Sequence, residues 1–177
     1  ACRALRADPA AFGIDAERLA VGGDSAGGNL TAVLMHDLGA AGEALPKAQV
    51  LIYPAVDARM ATRSMQALQH AYVLPRDRIG WYLDQYLPAG QDRDDPRVSP
   101  LRSPHLAGQP LALILHAGHD PLWDDGILAF DALAAAGVSV TLLPYPGQVH
   151  AFVSARRAIP QAREAVSRIS GWLRDVV

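Results

Sequence analysis

What this sequence of 177 residues lacks narrows the field before any motif is considered. Its one cysteine, Cys2, excludes an internal disulfide framework. No apolar run approaches the roughly 18 residues a membrane-spanning helix needs, and no charged-then-apolar leader opens the chain, so no membrane span and a cytoplasmic location are expected. Sixteen basic residues face eighteen acidic ones, for a formal charge of −2, and no long run of one sign offers itself to nucleic acid or an anionic membrane. Neither partner is expected. Internal repeats and low-complexity tracts are absent too. What is present is a 50% hydrophobic composition, enough for one globular domain with a sizeable core. The first residue is Ala1 rather than methionine, and "CRALRADPAAFG" looks like the end of a helix, so an N-terminal portion is expected to be missing.

Short apolar runs alternate with helical patterns along the chain. "RLAVGG" precedes a helix from about Ala26, with Leu30, Val33, Leu34 and Leu38 at helical spacing and Gly39 and Gly42 as stop signals. "AQVLIYPAV" (48–56), "PLALILHAG" (110–118) and "VSVTLLPY" (138–145) are nearly continuous apolar runs. Strands without polar alternation are buried on both faces, the habit of parallel sheets flanked by helices. A helix over about 124–136 ends at Gly137, and a last helix carries Val166, Ile169, Leu173 and Val176 as one stripe. The expected architecture is an α/β domain of about four parallel strands with flanking helices. Residues 57–109 are too long for an ordinary crossover. Their amphipathic piece "DRIGWYLDQYLP" sets Ile79, Leu83, Tyr86 and Leu87 on one side, beside Trp81 and Tyr82. A lid over a pocket is the functional reading, and a peripheral helical decoration is the bland one.

The pattern G-x-S-x-G occurs at Gly23-Asp24-Ser25-Ala26-Gly27, between a strand and a helix, where it acquires chemical meaning. Small neighbours let the backbone turn sharply and lift the Ser25 hydroxyl above the sheet. The next helix offers its N-terminal dipole and the Ala26 N–H to an oxyanion. A structural glycine-rich turn is the competing explanation. A serine nucleophile needs a base, and the base needs a group to orient it. Functional groups of parallel sheets gather beyond the strands' carboxyl ends. There "HAGHDPLWDDG" supplies Asp120 and "PYPGQVHAF" supplies His150, giving the chain order Ser25, Asp120, His150 of an α/β-hydrolase. Asp57 also follows a strand end and competes with Asp120 as the acid, whereas Asp124 and Asp125 look like first-turn residues complementing a helix dipole. His36, His70, His105, His116 and His119 are expected to be surface or structural histidines. The spacing of His116, His119 and Asp120 matches no zinc pattern, and no metal or cofactor is expected.

"GGDSAGGNL", "VSPLRSPHLAG", "HAGHDPLWDDG", "LAAAGVSVTLLPYPGQVHAF" and "YVLPRDRIGWYLDQYL" together resemble the hormone-sensitive-lipase-like family of α/β-hydrolases, bacterial carboxylesterases among them. The resemblance runs over almost the whole chain. It implies an α/β-hydrolase catalytic domain with a cap insertion over about 58–100, a triad of Ser25, Asp120 and His150, and small, fairly hydrophobic esters as substrates. Ala151 stands where the family usually has glycine, and Trp123 where arginine or another residue is common. The family's His-Gly-Gly-Gly segment, whose N–H groups complete the oxyanion hole, is not in this sequence. By that comparison the chain looks like the C-terminal half to two-thirds of a family member. The sheet edge beside the Ser25 strand would then be open, which favours association between copies. Two functions follow: a serine carboxylesterase, or a non-catalytic truncated relative.

Overall fold

The computed structural model describes residues 2–177. Two short helices, α1 (Cys2–Ala7) and α2 (Pro9–Phe12), lead into β1 (Ala20–Asp24), α3 (Ala26–Ala40) and β2 (Ala48–Ile52). Then come α4 (Arg63–Ala67), α5 (Arg76–Tyr86), β3 (Leu111–His119), α6 (Trp123–Ala135), β4 (Val140–Val149) and α7 (Pro160–Val176). The four strands form one parallel sheet, as the apolar runs predict, and their order in it is β1-β2-β3-β4. The helix expected over 124–136 is α6, shifted by one residue, and Gly137 ends it in the left-handed conformation at φ 82°.

Successive residues of the two central strands feed two cores, which is why those strands are apolar throughout. Val50, Leu113, Leu115 and Ala117 pack toward α7, whose Ala162 and Ala165 are fully buried. Leu51, Ala112 and Ile114 pack on the other face, against Ala129 and Leu133 of α6. At roughly 1.5 to 3 kcal/mol for each fully buried large aliphatic side chain, these layers are the main source of the sheet's stability. Among the described residues no helix is long and apolar enough to cross a membrane.

Two helix faces differ from the periodic reading. The buried residues of α3 are Gly28, Thr31, Met35 and Leu38, while Leu30 is 56% exposed. Close approach of this helix to the sheet selects small residues on its inner side, and a count of large apolar residues passes over them. In α7 likewise, the buried residues are Ala162 and Ala165, while Ile169 and Leu173 of the expected stripe, with Trp172, are partly buried against the same core.

Residues 57–109 contain α4, α5 and a 3-10 turn at Pro100–Arg102. Met60, Met65 and Leu74 form a small core with Leu122, and Ile79 and Leu83 of α5 pack against it. The excursion is therefore fastened to the chain just beyond the carboxyl end of β3. Trp81, Tyr82 and Tyr86 stay more than half exposed, because α5 has no buried residue at all.

The pairing of β3 with β4 shifts register between Ala117 and His119. Gly118 sits in that irregularity, and a Cβ there would lie 2.1 Å from the Pro146 carbonyl oxygen. Gly118→Ala should destabilise the chain by about 1 to 3 kcal/mol through overpacking. Urea unfolding of both chains measures this, and a loss under about 0.5 kcal/mol would contradict the close approach.

Candidate active site

The Ser25 backbone is held at φ 55° and ψ −117°, a strained conformation for a residue with a side chain. Three main-chain contacts fix it. Its N–H donates to the Ile52 carbonyl at 2.8 Å, and its own carbonyl accepts from Asn29 at 3.1 Å and Ala55 at 3.5 Å. The flanking glycines have different reasons to be there. A Cβ on Gly23 would sit 2.3 Å from the Gly27 carbonyl, and one on Gly28 would sit 2.8 Å from Pro54, whereas a Cβ on Gly27 has ordinary room. Gly23 and Gly28 are the sterically required glycines of the elbow. Ala26 opens α3, so its N–H has no carbonyl of a preceding helical turn to bond and stays free to donate.

His150 and Asp120 arrive from loops at the same end of the sheet. His150 Nε2 lies 2.9 Å from the Ser25 Oγ, and His150 Nδ1 lies 2.6 Å from Asp120 Oδ2. A carboxylate only accepts, so Nδ1 carries the proton and Nε2 turns its lone pair to the serine hydroxyl. Asp120 is fully buried, and its Oδ1 accepts the Leu122 N–H at 2.9 Å, which fixes the carboxylate plane. The Tyr53 ring packs 4.7 Å from the imidazole. Tyr53 itself has φ 35°, and its phenol is pushed up in pKa mainly by burial. Ala151 is left-handed at φ 61°, which explains why glycine suits the position; alanine costs about 1 to 2 kcal/mol there.

The other candidates lie apart from this relay. Asp57 is buried against Arg59, at 2.5 Å, and Arg102, at 3.5 Å. Asp124 and Asp125 occupy the first turn of α6, as expected, but both bond groups outside that helix. Asp124 accepts the Ser64 N–H at 2.7 Å near the start of α4. Asp125 Oδ1 accepts the N–H groups of Val56 and Asp57 at 2.9 and 3.2 Å, joining α6 to the root of the excursion. Burial is the main influence raising the Asp125 carboxyl from 3.8 to about 7, and its Oδ2 has no hydrogen-bond partner among the described residues.

His36 bonds Ser103, and His70, His105 and His119 are exposed. His116 is buried and stacks on Trp123 with ring centroids 3.9 Å apart. Burial lowers its pKa. His116, His119 and Asp120 thus face three different surroundings, and no group of three or more ligand-type side chains comes together among the described residues.

A cavity of about 710 Å³ opens over the serine, lined by Ser25, Asn29, Leu30, Met65, Tyr82 and His150 among others. Leu30 and Tyr82, exposed when judged as helix surface, are part of its wall.

A parallel sheet with helices on both faces and a serine on a sharp strand-to-helix turn is the architecture of the α/β-hydrolase class. The chain belongs to the alpha/beta hydrolase fold family, in its hormone-sensitive-lipase-like branch, with residues 1–154 matching. It is 41% identical over 157 residues to an ethyl acetate hydrolase of Pseudomonas putida, covering 88% of this chain and 49% of that protein. It is also 38% identical over 172 residues to carboxylesterase NlhH of Mycobacterium tuberculosis, covering 95% and 54%. A solved ester-hydrolase from the metagenome of Lake Arreo, complexed with a bipyridine phosphonate derivative, superposes with a TM-score of 0.94 at 40% identity. That match covers 97% of this chain and 55% of the other. The chain spans about half the length of the curated relatives it matches.

The raised carboxyl of Asp125 has a consequence for stability. In the unfolded chain it ionises near pH 4, but in the folded chain it keeps its proton to about pH 7, so stability falls as pH rises across that window. Asp125→Asn keeps an oxygen for the two N–H groups and removes the titration. Parent and variant should be similarly stable at pH 4, and the variant should gain toward pH 8 by a few kcal/mol, at about 1.4 kcal/mol per pH unit. Unfolding free energies at several pH values test this, and parallel curves would contradict it.

Proposed function

We propose that the protein is a serine carboxylesterase acting on small, fairly hydrophobic carboxylic esters, with Ser25 as nucleophile, His150 as base and Asp120 as the group that orients it. The observation carrying this reading is the continuous Ser25, His150, Asp120 relay, at 2.9 and 2.6 Å, at the edge of a largely apolar cavity. The names of the relatives, an ethyl acetate hydrolase and a carboxylesterase, support carboxylic-ester hydrolysis as the reaction class.

His150 Nε2 takes the hydroxyl proton as Ser25 Oγ attacks the ester carbonyl. Asp120 stabilises the imidazolium without accepting a proton from it. The Ala26 N–H donates to the oxyanion, with the positive end of α3 beside it. Collapse of the tetrahedral intermediate passes the proton from Nε2 to the departing alkoxide and leaves an acyl group on Ser25. Water, deprotonated by the same nitrogen, then attacks the acyl carbon and releases the acid. In this reading residues 58–100 act as a cap, with Met60, Met65, Ile79, Leu83 and Tyr82 offering apolar surface to the substrate. No cofactor takes part.

A fluorophosphonate should label Ser25, and Ser25→Ala should abolish the labelling; equal labelling of the variant would overturn the assignment. Asp120→Asn should cut turnover by about 10⁴ by fixing the wrong imidazole tautomer, with Asp57→Asn doing far less. The reverse ranking would place the acid at Asp57.

A further inference from the structure

We infer that Asn29 is a positioning residue that sets acyl-length selectivity, because its one side-chain amide holds both ends of the excursion against the nucleophile's helix. This rests on the reading of Ser25 as nucleophile and of the excursion as the wall of its substrate cavity. Asn29 Nδ2 lies 2.7 Å from the Ala55 carbonyl oxygen and 3.0 Å from that of Val98. Both partners only accept, so the nitrogen, with its two protons, must be the atom that faces them. Ala55 precedes the excursion's helices α4 and α5, and Val98 follows them. The two residues are far apart in sequence, yet a single side chain spans them.

The anchor itself is rigid. Asn29 lies one helical turn beyond Ser25, and its N–H donates to the Ser25 carbonyl, which also accepts from Ala55. Ala55, Val98 and Asn29 all line the cavity over Ser25. Displacing either carbonyl therefore moves a wall of the cavity, while neither side-chain bond of the relay runs through Ala55 or Val98. Other bonds close the same neck. Leu101 N–H donates to the Val56 carbonyl, Ala58 N–H to Ser99 Oγ, and Val56 and Asp57 to Asp125. Loss of Asn29 consequently retilts the wall rather than releasing it. A long acyl chain depends on that wall more than an acetyl group does.

The test compares hydrolysis of p-nitrophenyl octanoate and p-nitrophenyl acetate by the parent, Asn29→Ala and Asn29→Asp. Aspartate keeps the shape of asparagine but donates nothing to the two carbonyls. Both variants should lower the octanoate-to-acetate ratio of kcat/KM, roughly tenfold, mainly through KM. If Asn29→Asp keeps the parent's ratio, the residue only fills space and the inference is wrong. Equal losses on both esters would also overturn it, since Asn29 would then support the elbow and not selectivity. Failure of the parent to hydrolyse either ester would count against the catalytic reading alone. In that case, or if the variants do not fold, the Asn29 amide protons of the parent decide by NMR. Slow exchange of both supports the clasp, and exchange of either at the rate of a free asparagine amide rules it out.

Discussion

The site depends on one constraint: Ser25 must keep a backbone conformation that residues with side chains avoid. Such a conformation costs on the order of 1 to 3 kcal/mol and survives only where the surroundings determine it several times over. Here the end of β2 and the first turn of α3 do so, with Ile52, Ala55 and Asn29 all bonded to the Ser25 main chain. The requirement for Gly23 and Gly28 follows from the same geometry, since α3 must leave β1 so abruptly that a Cβ at either position collides with backbone or with Pro54.

Further strain gathers within the same region. Tyr53 has φ 35° directly after β2 and packs on the imidazole, and Ala151 is left-handed directly after His150. Asp125 is buried with one oxygen unpartnered while it tethers the root of the excursion. Each of these is unfavourable by itself. Together they bring a serine, an imidazole and a carboxylate from three separate loops into hydrogen-bonding line, and the two sheet cores supply the stability that offsets them.

Much of this was legible in the residues. The short run "RLAVGG" and three nearly continuous apolar runs read as strands of a parallel sheet, of which the two central ones are the most buried, and Ser25, Asp120 and His150 each stand where such a strand ends. Other features leave little trace in a pattern of apolar spacing. The inner side of α3 is Gly28 and Thr31 as much as Met35 and Leu38, so periodicity pointed to Leu30, which instead lines the cavity. The stacking of Trp123 on His116 joins a strand to the next helix through a turn and has no period to reveal it. Asp125 and Asn29 show the same limit: what each does is set by carbonyl and N–H groups dozens of residues away, and neither neighbour is visible in the local sequence.

The central claim is that the strained turn presents Ser25 to His150 as an activated nucleophile. Its most direct test is mass analysis of the chain quenched in acid during turnover of p-nitrophenyl butyrate, followed by mapping of the modified peptide. The account predicts a single butyryl group on Ser25 in the parent and none in His150→Ala. Hydrolysis with the acyl group on another residue, or an equal yield of adduct without His150, would contradict it.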